Sequence, residues 1–210
     1  MKAVLHLQGF LYINKMVLMD TTCLARYLYN IEVCKSLYSS LNIFEVTFRN
    51  DTDKVLYTVA GADNWYDILT LDSTSMKNIN DAKHKIQKKG KPVTHDRIIS
   101  ELTFVFWTSF LTPRYSQASF QSKIIKTCFR GVPAAQKNIK YLQTRFDRIR
   151  VLRNRVSHHE RIIHRENLSD QHDELLESIK WLDKSSYELA YSCDRFSKVY
   201  AKEFNKYDFN

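Results

Sequence analysis

The chain has 210 residues, 44% of them hydrophobic, enough to bury one sizeable core and at the upper end of what folds as a single domain, here taken as 1–210. Four Gly and three Pro, against typical usage of roughly 7% and 5%, argue against a turn-rich β architecture and point to long helices. The four cysteines, Cys23, Cys34, Cys128 and Cys193, form no Cys-x2-Cys pair, so no zinc knuckle or disulfide framework is expected and a reducing cytoplasm fits.

The apolar N-terminal stretch MKAVLHLQGFLYINKMVLM is interrupted by His6, Gln8, Asn14 and Lys15 and lacks a small-residue cleavage site, so it reads as a poor signal peptide. No stretch approaches the ~20 uninterrupted apolar residues of a membrane span, and no membrane partner is expected. From Thr21 to Tyr57, Leu24, Leu28, Ile31, Leu37, Leu41, Phe44, Phe48 and Val55 recur at helical spacing and predict one or two helices with these residues inward. Gly61 and Asp63-Asn64 break the pattern, and Trp65 to Leu71 is a short helix or irregular packing segment. The Lys-rich run ending in Gly90 and Pro92 is an exposed helix followed by a loop.

Thr94 is placed to cap the next segment, which is apolar almost all round from Ile98 to Leu111 and predicts one buried central helix stopped by Pro113. Its aromatics Phe104, Phe106, Trp107 and Phe110 resemble base-stacking platforms in composition, but their uniformly apolar context assigns them to core or dimer interface. Gly131 and Pro133 punctuate a further helix. A long helix then runs from about Ala134 into the histidines, and a last one from about Asp170 to Tyr200 carries Leu175, Ile179, Leu182, Leu189 and Phe196 on one side.

The net charge of +9 is concentrated. Between Phe120 and Arg165 stand twelve Lys/Arg against two acids, Asp147 and Glu160. Such a tract suggests a polyanion, most simply nucleic acid, with Arg145, Arg148, Arg155 and Lys140 as candidate RNA contacts. A solvated helix face reads the same way.

Within RFDRIRVLRNRVSHHERIIHREN, about 100° per residue puts Ile139, Leu142, Phe146, Ile149, Leu152 and Val156 on one arc. Arg150, Asn154, His158 and Arg161 fall on another, with Arg153 at the border. Metal-independent RNA cleavage needs these residue types. A neutral imidazole takes the ribose 2′-OH proton, a guanidinium stabilises the charge that grows on phosphorus, and an amide holds ring or phosphate. No cofactor is required. Arg and His at a helix C-terminus are also favoured by the helix dipole alone. His158, His159, His164 and His172 suggest a metal cluster by type, but no His-x3-His pair or acid triad completes one.

Arg153-Asn154, three residues and then His158 resembles the Arg, four to six residues, His motif of HEPN domains, and LRNRVSHHERI resembles the Abi-like family within them. ISELTFVFWTSFL, and LNIFEVTFRNDTDKVL followed by NWYD, resemble further blocks of that family in the same order, so the likeness spans roughly residues 20 to 190. The resemblance implies an all-α HEPN-type helical bundle with additional N-terminal helices. It also implies a homodimer with a composite active site, and an RNA-cleaving toxin or effector in antiphage abortive infection or a toxin–antitoxin pair, restrained by an antitoxin or regulatory RNA. On that analogy His158 is general base or acid, Arg153 the phosphate cation and Asn154 its polar support. His159, the family's second His, is catalytic or structural. Glu45, Arg49 and Asn50 form an intrahelical ion-pair set of ~0.2–0.5 kcal/mol or line the same cleft. The alternatives to a nuclease are a non-catalytic RNA-binding partner of a structured RNA and a helical interaction protein.

Overall fold

The computed structural model describes residues 21–201; the reading of the N-terminal stretch as a poor signal peptide lies outside them. Among the described residues the secondary structure is entirely helical. Helix α1, Thr21–Ala60, is one uninterrupted helix of 40 residues, about 60 Å long at ~1.5 Å per residue. It holds no Gly or Pro and stops where Gly61, at φ +74°, donates its amide to the Tyr57 carbonyl (2.7 Å). No described helix is long and apolar enough to cross a membrane.

Beyond α1 come α2 (Trp65–Ile68), α3 (Ser73–Lys88), α4 (His95–Glu101), α5 (Phe104–Ser109), α6 (Ser119–Cys128), α7 (Ile139–Ser157), α8 (Leu168–Leu182), α9 (Lys184–Cys193) and α10 (Phe196–Tyr200). Short 3-10 turns lie at Pro113–Tyr115 and Ala134–Gln136. All but α3 and α4 pack substantially on α1, which is therefore the spine of the bundle. Phe44 and Phe48 of α1 meet Phe104, Phe129 and Phe146 with ring centroids 4.8 to 6.5 Å apart, and Trp65, Phe106, Trp107 and Phe110 form an adjoining aromatic layer. These aromatics are core.

Four sequence expectations change. The segment from Ile98 to Leu111 is two helices, because Leu102 and Thr103 are extended. A single straight helix apolar all round would expose one face. The break lets the helix carrying the buried Ile98 and Ile99 pack on α3, while the next one packs on α1 and α7 and sets Phe104 against Phe44 and Phe48, and Phe106 and Trp107 against Trp65. Thr94 stands at the cap position of α4 but makes no side-chain cap bond. The C-terminal helix is likewise three pieces. Asp183 accepts the Ser186 amide (2.6 Å) to start α9, and Asp194 accepts the Phe196 amide (3.3 Å), so Leu189 turns outward at 56% exposure while Phe196 stays buried. On α1, Leu24, Leu28 and Ile31 lie off the buried face, whose first turns use Ala25, Tyr29 and Val33; from Leu37 onward the expected stripe is inward.

Candidate functional site

The site is built where α7 ends beside residues 27–45 of α1. Asn138 starts α7 by accepting the Tyr141 amide (2.9 Å). Leu142, Phe146, Ile149, Leu152 and Val156 then face the core as the arc requires, with Ile139 half-buried. That fixes the rotation of the motif arc.

Arg153 reaches across to α1. Its Nε donates to Glu45 Oε2 (2.8 Å) and its Nη2 to Glu45 Oε1 (3.3 Å), while Nη1 lies 3.5 Å from Asn154 Oδ1. The side chains are 33% and 21% exposed. Together with Tyr38, Leu41, Asn42, Val156 and Ser157 they line a small cavity of about 90 Å³. Of the set on α1, only Glu45 is brought to Arg153. Arg49 donates instead to its neighbour Asn50 (3.2 Å), so there is no intrahelical Glu45–Arg49 pair.

The end of α7 is a Schellman turn. His158 is the C-cap, His159 donates its amide to the Val156 carbonyl (3.3 Å), and Glu160 donates to that of Arg155 (2.9 Å). His159 takes the left-handed position at φ +58°, where Gly is usual and a non-glycine residue stores on the order of 1 kcal/mol. Both imidazoles are exposed and neither makes a side-chain hydrogen bond among the described residues. His159 lines an apolar cleft of about 480 Å³ with Tyr27, Asn30, Ile31, Cys34, Lys35, Tyr38 and Val156, and this cleft shares Tyr38 and Val156 with the Arg153 cavity.

The loop after the motif is held by Asn30, a residue that sequence reasoning missed. Asn30 is 7% exposed; its Oδ1 accepts the Ile162 (2.8 Å) and Ile163 (3.4 Å) amides and its Nδ2 donates to the Glu160 carbonyl (3.2 Å). Its only trace in the sequence is an Asn amid good helix formers.

The remaining candidates divide. Arg145, expected to contact RNA, is 3% exposed. It donates to Ser178 Oγ (2.8 Å), the Glu174 carbonyl (2.9 Å) and Glu177 (2.5 Å), and it packs 4.0 Å over the Trp181 ring, so it clamps α7 to α8 and is closed to a ligand. Arg148 grips Glu174 with two bonds of 3.0 and 2.6 Å, and these raise its pKa. Arg150 pairs with Asp147 (3.1 Å) and Arg155 sits 3.8 Å from Glu160. Arg161 and Lys140 are exposed, the first 3.5 Å from the His164 ring. His172 is buried away from the other histidines. It pairs with Asp194 (3.0 Å) and stacks on Phe196, and among the described residues no metal-binding group of three or more His, Cys, Asp or Glu occurs. Compared with protein families, with curated proteins and with solved structures, the chain matches none of them.

Proposed function

We propose that the protein is a HEPN-type, metal-independent endoribonuclease acting on single-stranded or looped RNA. The reading is carried by one arrangement: a guanidinium, Arg153, is held by Glu45 in a surface cavity on the helix whose C-cap is His158, exposed and without a side-chain bond among the described residues. His158 accepts the proton of a ribose 2′-OH, and the oxygen attacks the adjacent phosphorus. The P–O5′ bond breaks and the 5′-oxygen takes a proton from solvent, to which His158 later returns the one it accepted, giving a 2′,3′-cyclic phosphate and a 5′-hydroxyl. Arg153 stabilises the charge of the phosphorane, Glu45 is its positioning residue, and Asn154 supports the phosphate or the ring. In-line attack needs a flexible phosphodiester, which an A-form helix resists, hence unpaired RNA.

The resemblance of the sequence blocks supplies the biological role, a toxin or effector in abortive infection or a toxin–antitoxin pair. It also supplies the homodimer, in which two motif ends share one cleft. Val151 on α7 and Tyr38 on α1, both exposed, are the apolar surface such pairing would cover. Arg155, Arg161 and Lys140 then serve the RNA path.

The test is labelled single-stranded RNA in excess EDTA, wild type beside His158→Ala, with product ends resolved. Cyclic-phosphate ends that the substitution removes support the proposal. Equal cleavage by His158→Ala, or none by wild type, overturns it. Because His158 is exposed and unbonded, its stability should move by less than ~0.5 kcal/mol. The Arg153–Glu45 pair also favours a second reading, a non-catalytic RNA-binding module in which the pair only joins α1 to α7; salt-sensitive binding without cleavage selects it.

A further inference from the structure

A further concavity lies elsewhere on α1, between its last turns, α6 and the α8–α9 junction, and shares no lining residue with the Arg153 cavity or the His159 cleft. Gly131 builds it. The Gly131 amide donates to the Trp181 carbonyl (3.2 Å), and a Cβ there would lie 3.0 Å from Trp181 Cα, so glycine lets the chain after α6 approach the end of α8 without displacing either backbone and brings Arg130 alongside. Val55 and Leu182 form the floor, and the space is about 400 Å³, within the ~300–1,000 Å³ usual for small-ligand sites.

Its rim carries Lys54, Lys123 and Arg130, from three different segments. None of the three forms an ion pair or a side-chain hydrogen bond among the described residues, unlike the arginines of α7. Converging cations repel one another; Asp51 and Asp183 in the same space balance two of the three charges and leave one positive charge in excess. Of the two carboxylates in the same space, Asp183 is already used as the cap of α9. Asp51 is half-buried with no side-chain hydrogen-bond partner among the described residues, and burial raises its pKa despite Lys54 and Arg130 nearby. A guest that satisfies this set carries negative charge for the cations and a donor for Asp51.

We propose that this cavity binds the phosphate group of a phosphorylated ligand through Lys54, Lys123 and Arg130, with Asp51 accepting a hydroxyl or amine of the same molecule. The phosphate belongs to a free nucleotide or to the backbone of RNA. Several oxygens on one centre match three cations better than a single carboxylate does. The site does not depend on the nuclease reading.

The test compares wild type, Lys123→Ala/Arg130→Ala and the control Lys77→Ala/Lys88→Ala. The control removes the same charge at exposed positions that do not line the cavity. Inorganic pyrophosphate, adenosine 5′-diphosphate and a single-stranded RNA of ~12 nucleotides are titrated at low salt, with circular dichroism confirming the fold. The expected result is a loss of about tenfold or more in affinity for the cavity variant, the worth of a hydrogen bond to a charged group, with the control within about threefold. Loss for pyrophosphate and the diphosphate identifies a free phosphorylated molecule; loss for RNA alone identifies backbone phosphate. Equal losses in both double variants, or no binding of any probe to wild type, overturn the proposal. His158→Ala protein should bind as wild type does, which separates this outcome from failure of the nuclease reading.

Discussion

Asn30→Ala should loosen the motif loop and destabilise the fold together. Four hydrogen bonds vanish with the amide, at 2.8, 3.2 and 3.4 Å and at 3.8 Å to Cys34 Sγ, and the last two are too long to weigh much. Each of the others contributes ~1 kcal/mol net, and the Ile162 amide, buried where it meets Asn30, is left unsatisfied at a further ~1–3 kcal/mol. The sum is about 3–5 kcal/mol, a large share of the ~5–15 kcal/mol typical of a whole domain. Urea unfolding measures the loss. Amide exchange at Ile162 and Ile163 localises it, since the loop should open well below the global free energy. Asn42→Ala is the control, an exposed Asn of the same helix without a side-chain bond. A midpoint shift no larger than the control's, or unchanged exchange at Ile162, would refute the role given to Asn30.

Two further substitutions test the frame. Gly131→Ala forces a Cβ to 3.0 Å from Trp181 Cα and 3.3 Å from its carbonyl, backbone atoms that cannot swing away. It should cost ~1–3 kcal/mol in urea unfolding, and an unaltered midpoint would mean the close approach is not as described. The Asp72 carboxyl is raised by burial but lowered further by hydrogen bonds from Tyr115, Ser75 and the Ser75 and Thr74 amides, ending at about 2 against an ordinary 3.8. A depressed carboxyl stabilises above its unfolded value and loses that contribution as pH falls from about 4 through about 2, at most ~2 kcal/mol for this partly exposed group. Glu101 titrates in the same window, so the difference between wild type and Asp72→Asn isolates Asp72. Parallel stability curves for the two proteins from pH 5 to pH 2 would contradict the assignment.

How much of this was legible in the sequence follows from what each signal measures. Helical class, the inward arc of α7 and the exposed α3 come from local periodicity and composition, which survive without knowledge of partners. The break at Leu102 and Thr103 does not, because an all-apolar run gives no phase to lose. Asp183 and Asp194 were visible as residues, yet an Asp inside an amphipathic run signals a new N-cap only when the chain has a reason to turn. At the site, the Arg, Asn and His of the motif were legible, whereas Glu45 opposite Arg153 and Asn30 beneath the loop depend on contacts spanning more than 100 residues of sequence.

The basic tract shows the same limit in energetic form. Its Arg145, Arg148, Arg150, Arg153 and Arg155 all face acids in the fold, and Glu45, Glu174 and Glu177 come from α1 and α8, outside the tract. Those pairs are not equivalent. Arg145 is buried, and drawing it away would strand its acceptors and empty its place over Trp181, a change of several kcal/mol. Arg153 is a third exposed in a pair with Glu45, and pairs of that kind are worth only ~0–1 kcal/mol net. A phosphate can therefore exchange with Glu45 for the Arg153 guanidinium at little expense, but it cannot claim Arg145. The same holds for the other partly exposed arginines of α7, Arg148, Arg150 and Arg155, so an incoming anion can replace their acids without dismantling the bundle, and only the buried Arg145 is closed to it.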